Sequence, residues 1–244
     1  MSASTTYTAT NTPSLKHHFD NIHQQHASER LGMWMFLVTE VLFFAGLFGA
    51  YTMYRYWYPE DFEFASSHLL WKIAAINTFL LITSSMTMTF AIRCAQFGDT
   101  KGLIRNLLLT AGLGMGFMGC KAYEYYTDFE EHLLPTTVFY ESHVAHELSA
   151  KINPERAEQG LPPISPERVR LFLCFYYIMT GIHSIHLIIG IFCVLWLAVE
   201  AWRGSIPPDN YSTVEVISLY WHLVDAIWLF LMPLLYLAGA GMHH

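Results

Sequence analysis

Glu40, Lys121, Glu124, His183, His186, His222 and Asp225 are ionisable side chains set inside runs that are otherwise apolar. In such surroundings carboxyls and imidazoles can carry protons, hold a metal or tie helices together. A charged side chain at the centre of a membrane helix costs about 2.5–3.5 kcal/mol on insertion scales, so each one needs a reason. Glu40 stands between Thr39 and the run VLFFAGLF, and one turn away lie only Phe36, Leu37, Phe43 and Phe44. Unless another helix supplies a partner, desolvation favours its neutral acid. A proton-handling carboxyl and a protonated structural carboxyl bonded to a neighbouring helix both fit that position. Lys121 and Glu124 are three residues apart and share a helix face, which favours a structural ion pair. Near a helix end, both would also reach the membrane interface.

His183 and His186 have the same spacing in TGIHSIHLIIG, as do His222 and Asp225 in LYWHLVDAIW. Imidazoles suit Fe, Cu and Zn, so a metal or haem site is one reading. The other is interhelical hydrogen bonding, with His222 and Asp225 satisfying each other over one turn. No other apolar run carries a matching set of histidines, and the hydrogen-bond reading is preferred. No catalytic residue and no metal ligand is assigned.

These residues need elements to hold them, and composition says which. The 244 residues are 53% hydrophobic and only 14% charged, too few charges to coat a soluble globule. Seventeen Phe, 14 Tyr and 7 Trp exclude disorder, and a net charge of −7 gives no support to nucleic-acid binding. Cys94, Cys120, Cys174 and Cys193 lie in or beside apolar runs without CxxC spacing, as small buried residues do. About 20 apolar residues cross a bilayer. Residues 73–92 and 171–199 contain no Asp, Glu, Lys or Arg, and three further runs are broken only by isolated charges. The expected fold is all-α: an integral membrane bundle of five transmembrane helices near 31–57, 71–93, 104–126, 171–199 and 215–240. Trp34, Trp57, Trp71, Trp202 and Trp221, with Tyr58 and Tyr220, are read as interfacial aromatics toward span ends.

Residues 1–30 form a polar tail without the features of a signal or transit peptide. Its histidines (His17, His18, His23 and His26) read as a solvated segment, and His243 and His244 carry no assignment. The stretch 127–170 is an acidic, proline-bearing extramembrane loop in which 138–151 is expected to form a short helix. Cations divide evenly between the two sides, but Arg93, Lys101 and Arg105 crowd one compact turn. By the positive-inside rule this places the N-terminus in the cytoplasm, and the C-terminus and the 127–170 loop outside. Gly112, Gly114, Gly116 and Gly119, with Ala45, Gly46 and Gly49, would let helices approach closely. Thr83, Ser84, Ser85, Thr87 and Thr89 offer hydroxyls to backbone carbonyls or to neighbouring helices.

Five segments stand in a fixed order: LGMWMFLVTEVLFFAGLFGAY (31–51), INTFLLITSSMTMTFA (76–91), KAYEYY (121–126), YYIMTGIHSIHLIIG (176–190) and EVISLYWHLVDAIWLFLMPLLYLAG (215–239). Together they resemble subunit III of the haem-copper cytochrome c oxidases over most of residues 31–240. The resemblance implies a subunit without a redox centre, in a respiratory complex that passes electrons from cytochrome c to oxygen and pumps protons. Haem and copper would sit in partner subunits I and II. This chain would pack on subunit I, hold phospholipid and support proton uptake. Glu40 would be the family's intramembrane carboxyl, while Glu124, His183, His186, Trp221, His222 and Asp225 would be packing, lipid or hydrogen-bond positions.

The common form has two more helices ahead of the Glu40 span. The chain is therefore similar to a short five-helix form of bacterial inner membranes, and a lipid cleft walled by those helices would need another subunit. The 127–170 loop is longer than usual for the family and is expected to touch subunit II or a cytochrome c donor. A quinol oxidase or a nitric-oxide-reductase-associated relative is the alternative, followed by a freestanding transporter.

Overall fold

Phe97-Gly98-Asp99-Thr100 turns the chain back on itself in very few residues. Gly98 takes a left-handed conformation (φ 72°), where the absence of a Cβ removes the steric penalty. The amides of Gly98 and Asp99 bond back to the carbonyls of Ala95 and Cys94 and close the preceding helix. The Asp99 carboxylate accepts from the Gly102 amide at 3.0 Å and opens the next one. Two long helices thus run antiparallel.

A computed structural model describes residues 22–204, 206 and 211–237. Its helices are α1 (Ile22–Trp57), α2 (Pro59–Ser67), α3 (Trp71–Phe97), α4 (Thr100–Glu130), α5 (His143–Glu147), α6 (Asn153–Glu158), α7 (Pro166–Trp202) and α8 (Ser212–Tyr236). The helices α1, α3, α4, α7 and α8 are long and apolar enough to cross a membrane; the first four contain the expected spans 31–57, 71–93, 104–126 and 171–199, and α8 covers the fifth as far as Tyr236. The chain is a multi-pass, all-helical membrane protein. Most of the polar tail, including His17 and His18, lies outside the described residues, as do His243 and His244; the tail's end is already helical, because α1 begins at Ile22.

The helices α3, α4, α7 and α8 form a four-membered ring in which α3 packs on α4 and α8, and α7 packs on the same two. The core is built around Trp221 of α8, which is fully buried. A Cβ on Gly114 of α4 would come within 2.8 Å of the Trp221 ring, and one on Gly190 of α7 within 3.1 Å. At Gly114 a side chain would collide with the indole, and at Gly190 the ring would have to give by a few tenths of an ångström. This corrects two expectations. Trp221 is a core residue and not an interfacial one; Tyr220 is likewise buried. Gly112 and Gly119, like Gly46 and Gly49, face open space, while Gly116 meets only Leu80. The close approach is made by one glycine of the run, because only that one faces the indole.

Helix α1 leans on α7 and α8 from outside the ring. Its outer face is exposed, with Met35 and Leu42 each 66% accessible. The chain then turns into α2, a helix with no sequence expectation, started by Pro59 at its first turn. Side chains from α1 and α2 finish α8: Tyr51 Oη donates to the Leu234 carbonyl at 2.9 Å and Ser66 Oγ to the Leu235 carbonyl at 2.6 Å. These are carbonyls of the last helical turn, which have no intrahelical partner.

The expected single helix at 138–151 is instead a 3-10 turn (Thr137–Glu141), α5, a π turn (Leu148–Ile152) and α6. Pro154 can only begin a helix, so the segment restarts there. The connection is fastened to α2. Asp61, nearly buried, accepts from the Ser165 amide at 2.7 Å and from Arg168 at 3.2 Å, and Arg156 pairs with Glu60. The four cysteines are free and only partly buried.

Candidate functional site

Glu40 does have a partner on another helix. Its carboxyl oxygen lies 2.9 Å from Nε2 of His186, joining α1 to α7. Nδ1 of the same imidazole lies 2.9 Å from the Ile182 carbonyl, which can only accept, so Nδ1 carries a hydrogen. Two forms remain. Either neutral His186 accepts from protonated Glu40, or imidazolium donates to carboxylate. Both hold the same number of protons and no net charge. A proton can therefore cross the bond without the membrane interior gaining or losing charge, which limits the cost of keeping these groups there. Each side chain is about a fifth exposed (Glu40 19%, His186 18%), so the pair sits at the rim of the bundle beside Phe44.

Lys121 and Glu124 form the expected ion pair, at 3.0 Å. Neither reaches the interface, as their position near a helix end had suggested: Lys121 is 1% and Glu124 0% exposed. The i,i+3 face they share points into the ring, where α7 and α8 supply the remaining hydrogen bonds. Lys121 Nζ also donates to Tyr236 at 2.8 Å and Tyr176 at 3.3 Å, which uses all three of its hydrogens. Glu124 Oε1 accepts from Tyr236 at 2.6 Å and from Tyr176 at 2.9 Å. Asp128, one turn further along α4, lies 3.3 Å from the Tyr177 hydroxyl, which donates to it. The ammonium is 5.0–5.6 Å from the ring centroids of Tyr125, Tyr176, Trp228 and Tyr236, within cation–π range. Three helices meet at one cation.

On α8, the expected His222–Asp225 bond is not made. His222 Nδ1 bonds across to Ser85 Oγ of α3 at 2.7 Å, and the same hydroxyl stands beside the Asp225 carboxyl. The hydroxyl across the helix interface captures the imidazole in place of the carboxyl one turn along. Trp221 Nε1 donates to Ser84 Oγ at 3.2 Å, and Trp228 Nε1 to Thr78 Oγ1 at 3.1 Å, so α8 is tied to α3 at the turn of Trp221 and His222 and again at Trp228. His183 is wholly buried against Phe117 and Trp228, and neither ring nitrogen is bonded. It faces inward while His186 faces α1, so the two histidines do not converge. Among the described residues, no three His, Cys, Asp or Glu side chains gather as metal ligands.

Sequence reasoning offered Ser85 to a neighbouring helix without naming its partner, and passed over Asp128, Tyr176, Tyr177 and Tyr236. Asp128 had a usable signal, since it is four residues past Glu124 and so on the same face. The tyrosines lie on other helices, and one-dimensional spacing cannot bring them to Lys121.

The model of the family described as cytochrome c oxidase subunit III matches residues 13–146 and 169–240. The chain belongs to the cytochrome c oxidase subunit III family. Apart from the first three residues of α7, all five spanning helices of this subunit III chain lie in the matched residues, and the unmatched 147–168 covers the end of α5, the π turn, α6 and the start of α7. A cytochrome c oxidase subunit 3 of Thermostichus vulcanus is 29% identical over 89% of this chain and 91% of its own length. One from Synechocystis sp. is 30% identical over 88% of this chain and 78% of its own. A quinol oxidase subunit 3 of Bacillus spizizenii is 27% identical, covering 86% and 87%. The family resemblance carried by the five sequence segments is borne out.

Proposed function

We propose that this subunit III is the non-redox scaffold of a proton-pumping haem-copper oxidase that passes electrons from cytochrome c to oxygen in aerobic respiration. It packs on subunit I, supports that subunit's proton uptake and stability, and leaves haem and copper to its partners. The observation that carries this reading is how the polar groups are used: Glu40–His186, Lys121–Glu124 and Ser85–His222 each join two side chains within the bundle. Groups committed in this way stabilise and relay protons. Bound phospholipid belongs to the same reading, with His186 and Glu40 open to the lipid side at the rim.

The compact α3–α4 turn, with Arg93, Lys101 and Arg105 around it, lies in the bacterial cytoplasm with the N-terminus, by the positive-inside rule. The 127–170 connection and the C-terminus are then outside, where the connection meets subunit II or a cytochrome c donor. A quinol oxidase is the second reading, and relatives named quinol oxidase subunit 3 favour it. Turnover of the purified complex separates the two. Oxygen consumption with reduced cytochrome c supports the first, and consumption with a quinol alone supports the second.

A further inference from the structure

Arg93, toward the end of α3, and Arg105, in the second turn of α4, line one cleft of about 370 Å³ at the α3–α4 turn. Among the described residues, neither guanidinium has an ion-pair or hydrogen-bond partner. The one carboxylate in the cleft, Asp99, accepts from the Gly102 amide as the cap of α4 and pairs with neither arginine. Two cations against one committed carboxylate leave the cleft short of one negative charge. Its walls are apolar as well. Phe90 and Phe97 stand about two turns apart on one side of α3, 50% and 85% exposed.

Guanidinium suits a phosphodiester, because its planar fork donates two parallel hydrogen bonds to the phosphate oxygens. A soluble anion has no use for two bare phenyl rings, whereas an amphiphile lays an acyl chain along them and leaves its phosphate at the arginines. A choline or ethanolamine headgroup brings its own ammonium and keeps the charge imbalance; a glycerol headgroup removes it. We infer that the α3–α4 cleft seats the phosphate of a phospholipid of net negative charge, of the phosphatidylglycerol class, clamped by Arg93 and Arg105. Basic pockets between membrane helices take anionic headgroups in this way on the cytoplasmic side. The inference rests on the proposed binding of phospholipid and adds a site apart from the Glu40–His186 rim, since α1 and α7 do not line this cleft.

The test places the intact complex in phosphatidylcholine vesicles doped with a phosphatidylglycerol whose acyl chain carries a diazirine beside the glycerol ester. Irradiation should attach this probe to residues 90–97 in clear preference to a phosphatidylcholine probe with the same chain. The mole fraction of probe that gives half the maximal adduct should rise roughly fivefold in Arg93→Gln and roughly thirtyfold when Arg105→Gln is added. Those factors are the weight of one and of two charges at a membrane surface. Arg203→Gln, just past the end of α7 and outside the cleft, should leave it unchanged. Equal yields from the two probes, a double variant that labels like the parent, or displacement of the adduct by inorganic phosphate would each overturn the inference. Phosphatidylglycerol adducts confined to α1 and α7 beside Glu40 and His186 reject this site and keep the phospholipid reading, whereas a parent complex with no adduct on this chain rejects both.

Discussion

The carboxyl of Glu40 and the Nε2 of His186, 2.9 Å apart, share one proton across the α1–α7 contact. Because Nδ1 is held as a donor by the Ile182 carbonyl, the pair is neutral in either form. Glu40→Gln should therefore keep the bond, the amide donating to neutral His186. The complex should assemble normally and melt close to the parent. His186→Ala should cost about 0.6–1.7 kcal/mol, the range of measured interhelical hydrogen bonds in membranes. Thermal unfolding of the purified complex reads both. Loss of assembly in Glu40→Gln would show that the pair is an obligatory ion pair.

Among the described residues, Lys121 is the only cation touching Glu124, and both are buried. Lys121→Met should destabilise the chain by about 3–5 kcal/mol, because it strands a buried charge. Adding Glu124→Gln should restore a large part of that loss. A double variant no more stable than Lys121→Met alone would show that the aromatic packing, and not the charge, is what matters there.

The run from Gly112 to Gly119 contains a built-in control. Gly114→Ala drives a methyl group to 2.8 Å from the Trp221 ring and should cost about 1–3 kcal/mol. Gly112→Ala and Gly119→Ala meet open space and should be nearly silent. Melting temperatures of the three variants make the comparison.

Asp61 fastens the outer connection by accepting from the Ser165 amide and from Arg168. Asp61→Ala should release the segment 147–165 to limited proteolysis while the membrane bundle keeps its stability. Unchanged cleavage would mean that Arg156 and Glu60 suffice to hold it.

Much of this was legible in the sequence because hydrophobic run length is a local property. The spans around 73–92 and 171–199 follow from missing charges alone. The Glu124–Lys121 pair follows from helical periodicity. What periodicity could not supply was direction. It placed His222 beside Asp225 on one face, but the ring is held by Ser85, 137 residues away in sequence. It grouped four glycines of α4 together, although only Gly114 faces Trp221. Glu40 was unpaired by every local criterion, and its partner stands on α7. Helix α2 was missed because it has nine residues and little periodicity to report. Residue type and interval identify a membrane helix; its neighbours decide what its polar groups do.

The central claim is that this chain serves a haem-bearing complex while carrying no redox centre itself. A gentle detergent purification of the intact assembly, with its chains identified by mass spectrometry and its absorption spectrum recorded, addresses that directly. The account predicts larger oxidase chains in fixed ratio, a haem spectrum, and no iron or copper on this chain after the partners are removed. A chain that purifies alone, or that retains stoichiometric iron or copper when stripped of partners, would contradict it.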